Sequence, residues 1–339
     1  MKILNDVPIS TLTTMRLGGP AKYVAVVATP DDVDSAYQYA HDNNLSVTVI
    51  GEGSNLIGRD EGYDGLIIQN QLKGIEITNQ DDFGATIVAN SGEVLDNLIA
   101  FSVDKGLHGI EMLTAIPGTV GAAPVQNSGA YGAEIGDTIQ SVDVYEIATG
   151  EFKTLPKSEL NLSYRHSIFN SEAVGQYFII AITIKLNKQP PEPPFYKSLQ
   201  EYLDQHNITD YSINTIREAV REIRASKLPD PKEIASSGSF FKNVIFTESE
   251  AADFTTKYPN APIFQQNGQH KLATAWLLDQ AGLKGQTFHG MTVNEQAPLV
   301  LMNTGAKSFA DLESAKAEII DIIHQKFDIT IEAEPQIIK

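Results

Sequence analysis

Cysteine does not occur among the 339 residues. Its absence excludes disulfide scaffolding, thiol catalysis and Cys-ligated zinc. Long apolar runs are missing too. The opening "MKILNDVPISTLTTMRLGG" has neither the hydrophobic core of a signal peptide nor a membrane anchor, so the cytoplasm is the expected compartment. Positive charge is scarce: 25 basic against 43 acidic residues leave a net charge of −18. No broad basic surface survives that balance, which argues against nucleic acid and anionic membranes as partners. The seven histidines are scattered, with no His-x-His or His-Glu-x-x-His pair, so no metal site is expected. Any anionic ligand must therefore find a locally basic pocket.

What is present reads as an α+β protein. "KYVAVVA" has strand character, and Thr29-Pro30-Asp31-Asp32 opens a helix with Thr29 as cap and Pro30 at its first position. Val33, Ala36, Tyr37 and Ala40 give that helix an apolar stripe. "LSVTVI", "GLIIQN", "GIEIT", "ATIVA", "SVDVYEIA" and "QYFIIAITIKL" read as strands, with one helix around "VLDNLIAFSVDKG". Four prolines in the five positions 190–194 rule out a helix or central strand there. Beyond them, Ile216, Ala219, Val220 and Ile223 form a helical face, "HKLATAWLLDQAGLKG" reads as a second helix, and a third is capped by Ser308. "DITIEAEPQII" reads as a terminal strand. The expected division is a first domain over 1–188, a proline-rich linker over 189–211 and a second domain over 212–339, whose strand 329–339 can pack back on the first.

Several stretches could carry chemistry. In "VIGEGSNLI", two glycines follow a strand and allow consecutive N–H groups to converge on an anion, although a plain Gly-Ser-Asn turn has the same composition. No amphipathic helix follows, so this is not a Rossmann fingerprint. "AIPGTVGAAPVQNSGAYGAEIGD" places five glycines in nineteen residues with interleaved Ile116, Val120, Val125 and Tyr131, which suits either a tight backbone against a flat ligand or a loop with no such task. "LSYRHSIF" holds Arg165, by itself no more than a surface arginine. "GSFFKN" presents Ser239 outside any Gly-x-Ser-x-Gly elbow. If it is extended, Ser239, Phe241 and Asn243 share one face, and Phe240 and Lys242 the other. Lys227, Lys232 and Lys242 make that neighbourhood locally basic. Glu332 and Glu334 alternate near the C-terminus.

In order, "TTMRLGG", "GEGSN", "IPGTVGAAPVQNSGAYG", "YRHSIF", "KLPDP", "GSFFKN", "KLATAWLLDQAGLKG" and "EAEPQII" closely resemble the UDP-N-acetylenolpyruvoylglucosamine reductase family, in its longer, type I branch. The resemblance runs from about residue 10 to the C-terminus. It implies a two-lobed FAD-binding half of the PCMH (vanillyl-alcohol-oxidase-like) kind and a C-terminal α+β substrate-binding half.

By that resemblance, Gly51, Glu52, Gly53, Ser54 and Asn55 cradle the FAD pyrophosphate. Ile116, Pro117, Gly118, Gly121, Ala122, Ala123 and Val125 line the flavin and ribityl chain. The catalytic positions fall on Arg165, Ser239 and Glu334, and the substrate-binding ones on Tyr196, Lys227, Asn243 and Gln296. The implied reaction passes hydride from NADPH through a non-covalently held FAD to the β-carbon of UDP-N-acetylglucosamine enolpyruvate. Ser239 then protonates the resulting α-carbanion, while Arg165 as a cation and Glu334 as a protonated donor stabilise it. One departure stands out: relatives of this branch often carry Ser-Ser where this chain has Ala122-Ala123, so backbone amides are expected to replace those hydroxyls. An FAD oxidase or dehydrogenase of the same fold, a non-catalytic nucleotide-sugar binder and a serine hydrolase are the competing expectations. A monomer is the default state.

Overall fold

The structure, a computed structural model, describes residues 1–266 and 268–338. Two compact units divide the chain, each assembled from separate segments.

The first unit comprises Met1–Val7, Ala21–Glu52 and Asp64–Ser226. One lobe is a four-stranded sheet in the order Lys2–Pro8, Pro20–Val27, Tyr63–Asn70, Val47–Ile50, the last two parallel. Helix Pro30–Asp42 lies on it because its stripe Val33, Ala36, Tyr37 and Ala40 packs with Ala25, Val27, Leu66 and Ile68. Thr29 and Asp32 close the expected capping box. The second lobe is a five-stranded antiparallel sheet, ordered Glu151–Pro156, Ile139–Glu146, Tyr177–Asn187, Gly84–Asn90, Ile75–Gln80. Helix Leu95–Asp104 buries Leu95, Leu98, Ile99 and Val103 in the core formed with Val142, Val144, Ile182 and Ile184. Each fully buried aliphatic side chain of this kind contributes about 1.5–3 kcal/mol before chain entropy is counted.

The proline-rich stretch leads into helix Lys197–Gln205, whose Leu199 and Leu203 pack with Ile216, Ala219, Val220 and Ile223 of helix Ile213–Lys227. The chain therefore changes units at 226–227, not at the expected 212. The reason is physical: the core of this helix pair also takes in Met112 and Tyr131 of the first unit.

The second unit comprises Pro8–Pro20, Gly53–Tyr63 and Lys227–Lys339. It holds a sheet ordered Ala235–Ser239, Val300–Asn303, Met291–Val293, Thr287–Phe288 and another ordered Val244–Phe246, Gln269–Leu272, Ile263–Gln266. Helix Phe309–Phe327, capped by Ser308 as expected, buries Leu312, Ala315, Ile319, Ile323 and Phe327 against them. Two readings need correction. "HKLATAWLLDQAGLKG" is not one helix: Gln269–Leu272 is a central strand, and only Thr274–Gln280 is helical. Pairing on both sides outweighs the helical propensity of the segment. The tail is likewise no continuous strand. Ala333 makes an isolated bridge to Phe241, and Gln336–Ile337 runs parallel to Leu56–Ile57, with Pro335 between them.

Candidate active site

In the first unit, two loops meet where the resemblance expects the cofactor. Gly51 follows strand Val47–Ile50, and a Cβ there would lie 2.4 Å from Thr119 Oγ1. Gly118 N donates to Glu52 Oε2 at 3.0 Å, so the Glu52 side chain braces the neighbouring loop. That loop is fixed along its length. Ala115 N donates to Asp96 Oδ1 at 2.9 Å, Val120 N to Glu93 O at 2.8 Å and Gly121 N to Ser91 O at 2.8 Å. A side chain at Gly121 would meet Ser91 Cβ at 2.5 Å. The expected role for the amides of Ala122 and Ala123 changes. Both donate to Thr119 O, at 3.1 and 3.2 Å, and the Ala123 methyl lies in the core. Ala122 is exposed. Tight, backbone-rich loops of small residues are what a flat, anionic dinucleotide requires, and these residues fit FAD.

Arg165 sits at the tip of a tight turn in the same unit, with φ +55. Ser163 and His166 exchange backbone bonds at 3.1 Å in both directions, which leaves Tyr164 and Arg165 projecting. The guanidinium lies 5.2 Å over the Tyr164 ring. Ser167 Oγ donates to Val125 O at 2.6 Å, and Asn127 Nδ2 donates to Ser163 O at 3.1 Å. The arginine turn is thereby tied to the glycine-rich loop. Tyr196 is 47% exposed and makes an edge contact with Tyr131, 6.0 Å between centroids. Tyr131 has no assigned role in the sequence reading; its left-handed backbone (φ +51) becomes visible only in the structure. Burial raises its phenol above the ordinary tyrosine range, opposed by the nearby Arg224. Asp96 also escaped the sequence reading, because helix periodicity marks buried apolar positions and not a carboxylate that receives a loop amide.

In the second unit, Gly53 has φ +64, and a Cβ would stand 2.0 Å from Leu12 O. Ser239 ends the strand Ala235–Ser239, where the ladder to Val300–Asn303 shifts register between Ser236 and Ser239. Gly238, at φ +70, makes that bulge possible. The simple alternation expected of "GSFFKN" fails, because Phe240 and Phe241 are each 1% exposed. Both rings enter the core beside Leu272, Leu277 and Ile331, in edge contact at 5.1 Å. Glu334 N donates to Phe240 O at 2.8 Å, so the glutamate lies alongside the residue that follows Ser239. Asn243 Oδ1 accepts from Thr274 N at 3.1 Å. Lys242 pairs with Glu332 at 3.4 Å, which neutralises one of the three lysines counted as locally basic. Lys227 and Gln296 are exposed, the latter in a turn where Asn294 Oδ1 accepts from Gln296 N at 2.7 Å.

The family model described as an FAD binding domain matches residues 21–156, and the one described as the UDP-N-acetylenolpyruvoylglucosamine reductase C-terminal domain matches residues 230–338. A UDP-N-acetylenolpyruvoylglucosamine reductase from Amoebophilus asiaticus is 36% identical over 340 residues, covering 100% of both chains. The chain belongs to the UDP-N-acetylenolpyruvoylglucosamine reductase family. The Ralstonia nicotianae reductase is also 36% identical, over 98% of each chain, and that of Flavobacterium johnsoniae is 33% identical over the full length of both. A crystal structure of the Thermus caldophilus reductase shares the fold, with a TM-score of 0.68 at 22% identity over 100% of both chains. The fold is thus an FAD-binding PCMH-type domain with this family's C-terminal domain, as expected from the sequence. Among the described residues no group of acidic and histidine side chains could hold a metal ion, and no helix is long and apolar enough to cross a membrane.

Proposed function

We infer that the chain is an NADPH-dependent, FAD-containing reductase of UDP-N-acetylglucosamine enolpyruvate, forming UDP-N-acetylmuramate for peptidoglycan synthesis in the cytoplasm. The observation that carries this reading is the setting of Ser239. It stands on a glycine-permitted bulge beside the Glu334 backbone, within a segment matched by the reductase C-terminal domain.

When bound, FAD supplies the hydride chemistry that links NADPH to the enolpyruvyl double bond. The residues do the rest. Hydride arrival at the β-carbon leaves a carbanion at the α-carbon, delocalised into its carboxylate. Such an anion is a strong base, so the Ser239 hydroxyl protonates it without a histidine to activate it. General-acid help of this sort is worth about 10²–10⁴-fold. Arg165 and Glu334 are assigned to the carboxylate on which the charge develops, each worth about 10²–10³-fold. Gly51 to Asn55 are assigned to the cofactor through their backbone, and Ile116 to Val125, whose amides are bonded within the protein, as the close-fitting surface it lies against. Tyr196, Lys227, Asn243 and Gln296 are assigned to the nucleotide sugar. A serine hydrolase would need a base beside Ser239 and is not favoured. Oxidase and simple binding alternatives lack support from the full-length relatives, all reductases by name.

The test is anaerobic stopped-flow absorbance of the purified flavoprotein. NADPH should bleach the flavin band, and UDP-N-acetylglucosamine enolpyruvate should restore it with a product two mass units heavier. A bleached flavin that the enolpyruvyl nucleotide leaves reduced overturns the reading.

A further inference from the structure

The motif "TTMRLGG" has no role in the chemistry above, yet it touches two stretches that do, both within the second unit. Thr13 to Arg16 forms a turn, closed by Arg16 N donating to Thr13 O at 3.2 Å. On one side, Thr14 N donates to Gly53 O at 3.1 Å, and the Gly53 Cα lies so close to this turn that a Cβ would meet Thr13 Cα at 2.8 Å. On the other side, Ser236 N, in the strand that ends at Ser239, donates to Thr14 O at 3.1 Å. That strand is the edge of its sheet, and the turn covers the side left open. Met15 and Leu17 anchor the turn in the same core as Phe240 and Phe241.

The side chain of Arg16 completes the arrangement. Its Nη2 donates to Pro231 O at 2.8 Å and to Lys232 O at 2.5 Å, two successive carbonyls of the segment that enters the serine strand. Arg16 does this from a left-handed backbone, φ +56, and is exposed. Glycine or asparagine would occupy that conformation with less strain. Neither could reach both carbonyls with a charged donor.

We propose that Arg16 is a positioning residue: by clamping the Pro231–Lys232 turn it fixes the backbone that carries Ser239 relative to the loop that begins at Gly53. This rests on the functional reading above, in which that loop serves the cofactor and Ser239 the proton transfer. Arg16 touches neither substrate nor cofactor and acts through the strand.

The discriminating variants are Arg16→Gly, which relieves the backbone and removes the guanidinium, and Arg16→Met, which keeps the stem. Two readouts are needed. Hydrogen exchange of peptides spanning 232–239 should quicken by about tenfold or more in both variants, since hydrogen bonds from a charged donor are lost. Flavin reoxidation by UDP-N-acetylglucosamine enolpyruvate should slow by about tenfold, with reduction by NADPH kept within about twofold. A merely structural arginine predicts equal loss, or none, in both half-reactions. Wild-type exchange in either variant, or faster exchange with unaltered reoxidation, overturns the proposal. Failure of the wild type itself to reoxidise with the enolpyruvyl nucleotide overturns instead the functional reading on which the proposal stands.

Discussion

The two compact units hold their assigned residues differently: the first on loops braced by side chains, the second at the end of a short edge strand. The first unit has long strands, such as Tyr177–Asn187, which is paired on both edges and takes up two register shifts against Ile139–Glu146. In the second, the longest strand among the described residues is the five-residue Ala235–Ser239. Its serine stands at a register shift next to a positive-φ glycine, followed by two consecutive buried phenylalanines. Long, doubly paired strands make a scaffold even where they carry a bulge. Irregular backbone re-aims single side chains, and it is held only where the surroundings over-determine it.

The largest expected effect lies on that irregular strand. Ser239→Ala should slow flavin reoxidation by the enolpyruvyl nucleotide about 10²–10⁴-fold while leaving reduction by NADPH nearly intact; equal losses in both half-reactions would undo the assignment. Glu334→Ala, which removes the donor that glutamine would retain, should cost about 10²–10³ in the same half-reaction, measured in the same way. Gly53→Ala, which drives a methyl to 2.0 Å from Leu12 O at φ +64, should lose about 2–4 kcal/mol in urea unfolding together with bound flavin. Gly238→Ala offers the contrast: with nothing within 4 Å of its Cβ, it should lose only about 1–2 kcal/mol, from backbone strain alone.

The smallest effect belongs to the first unit. The Tyr145 hydroxyl donates to Asp34 Oδ1 at 2.8 Å, and burial, then that bond, push its phenol up to about 12. Because the folded value lies above the unfolded one near 10, the contribution is intact below pH 10 and fades as the pH rises towards 12. Tyr145→Phe should therefore be about 1 kcal/mol less stable at neutral pH, with the gap to wild type closing in alkali.

The same contrast sets how much was legible beforehand. Helix Pro30–Asp42 is written locally, in a cap, a proline and a stripe, and it forms as read. Gln269–Leu272 is not, because its conformation depends on partners at 244–246 and 263–266 that no local pattern reveals. "GSFFKN" shows its residues but hides its geometry. Alternation puts the two phenylalanines on opposite faces, whereas the bulge at Gly238 and the bridge to Ala333 bury both. The contents of the candidate site were visible as motifs, but their supports were not. Glu52 on Gly118, Asp96 on Ala115 and Arg16 on Pro231 join residues between 19 and 215 positions apart. Such pairings have no signature in a single sequence.

With no cysteine in the chain, Ser239→Cys installs a single thiol where the proton donor is assigned. Its alkylation by iodoacetamide, timed with and without saturating UDP-N-acetylglucosamine enolpyruvate, asks whether position 239 lies where the substrate reacts. Protection of at least about tenfold, with reoxidation abolished once the thiol is blocked, is the expected result. Equal labelling in both conditions, in a labelled protein that still reduces the enolpyruvyl nucleotide, would contradict it.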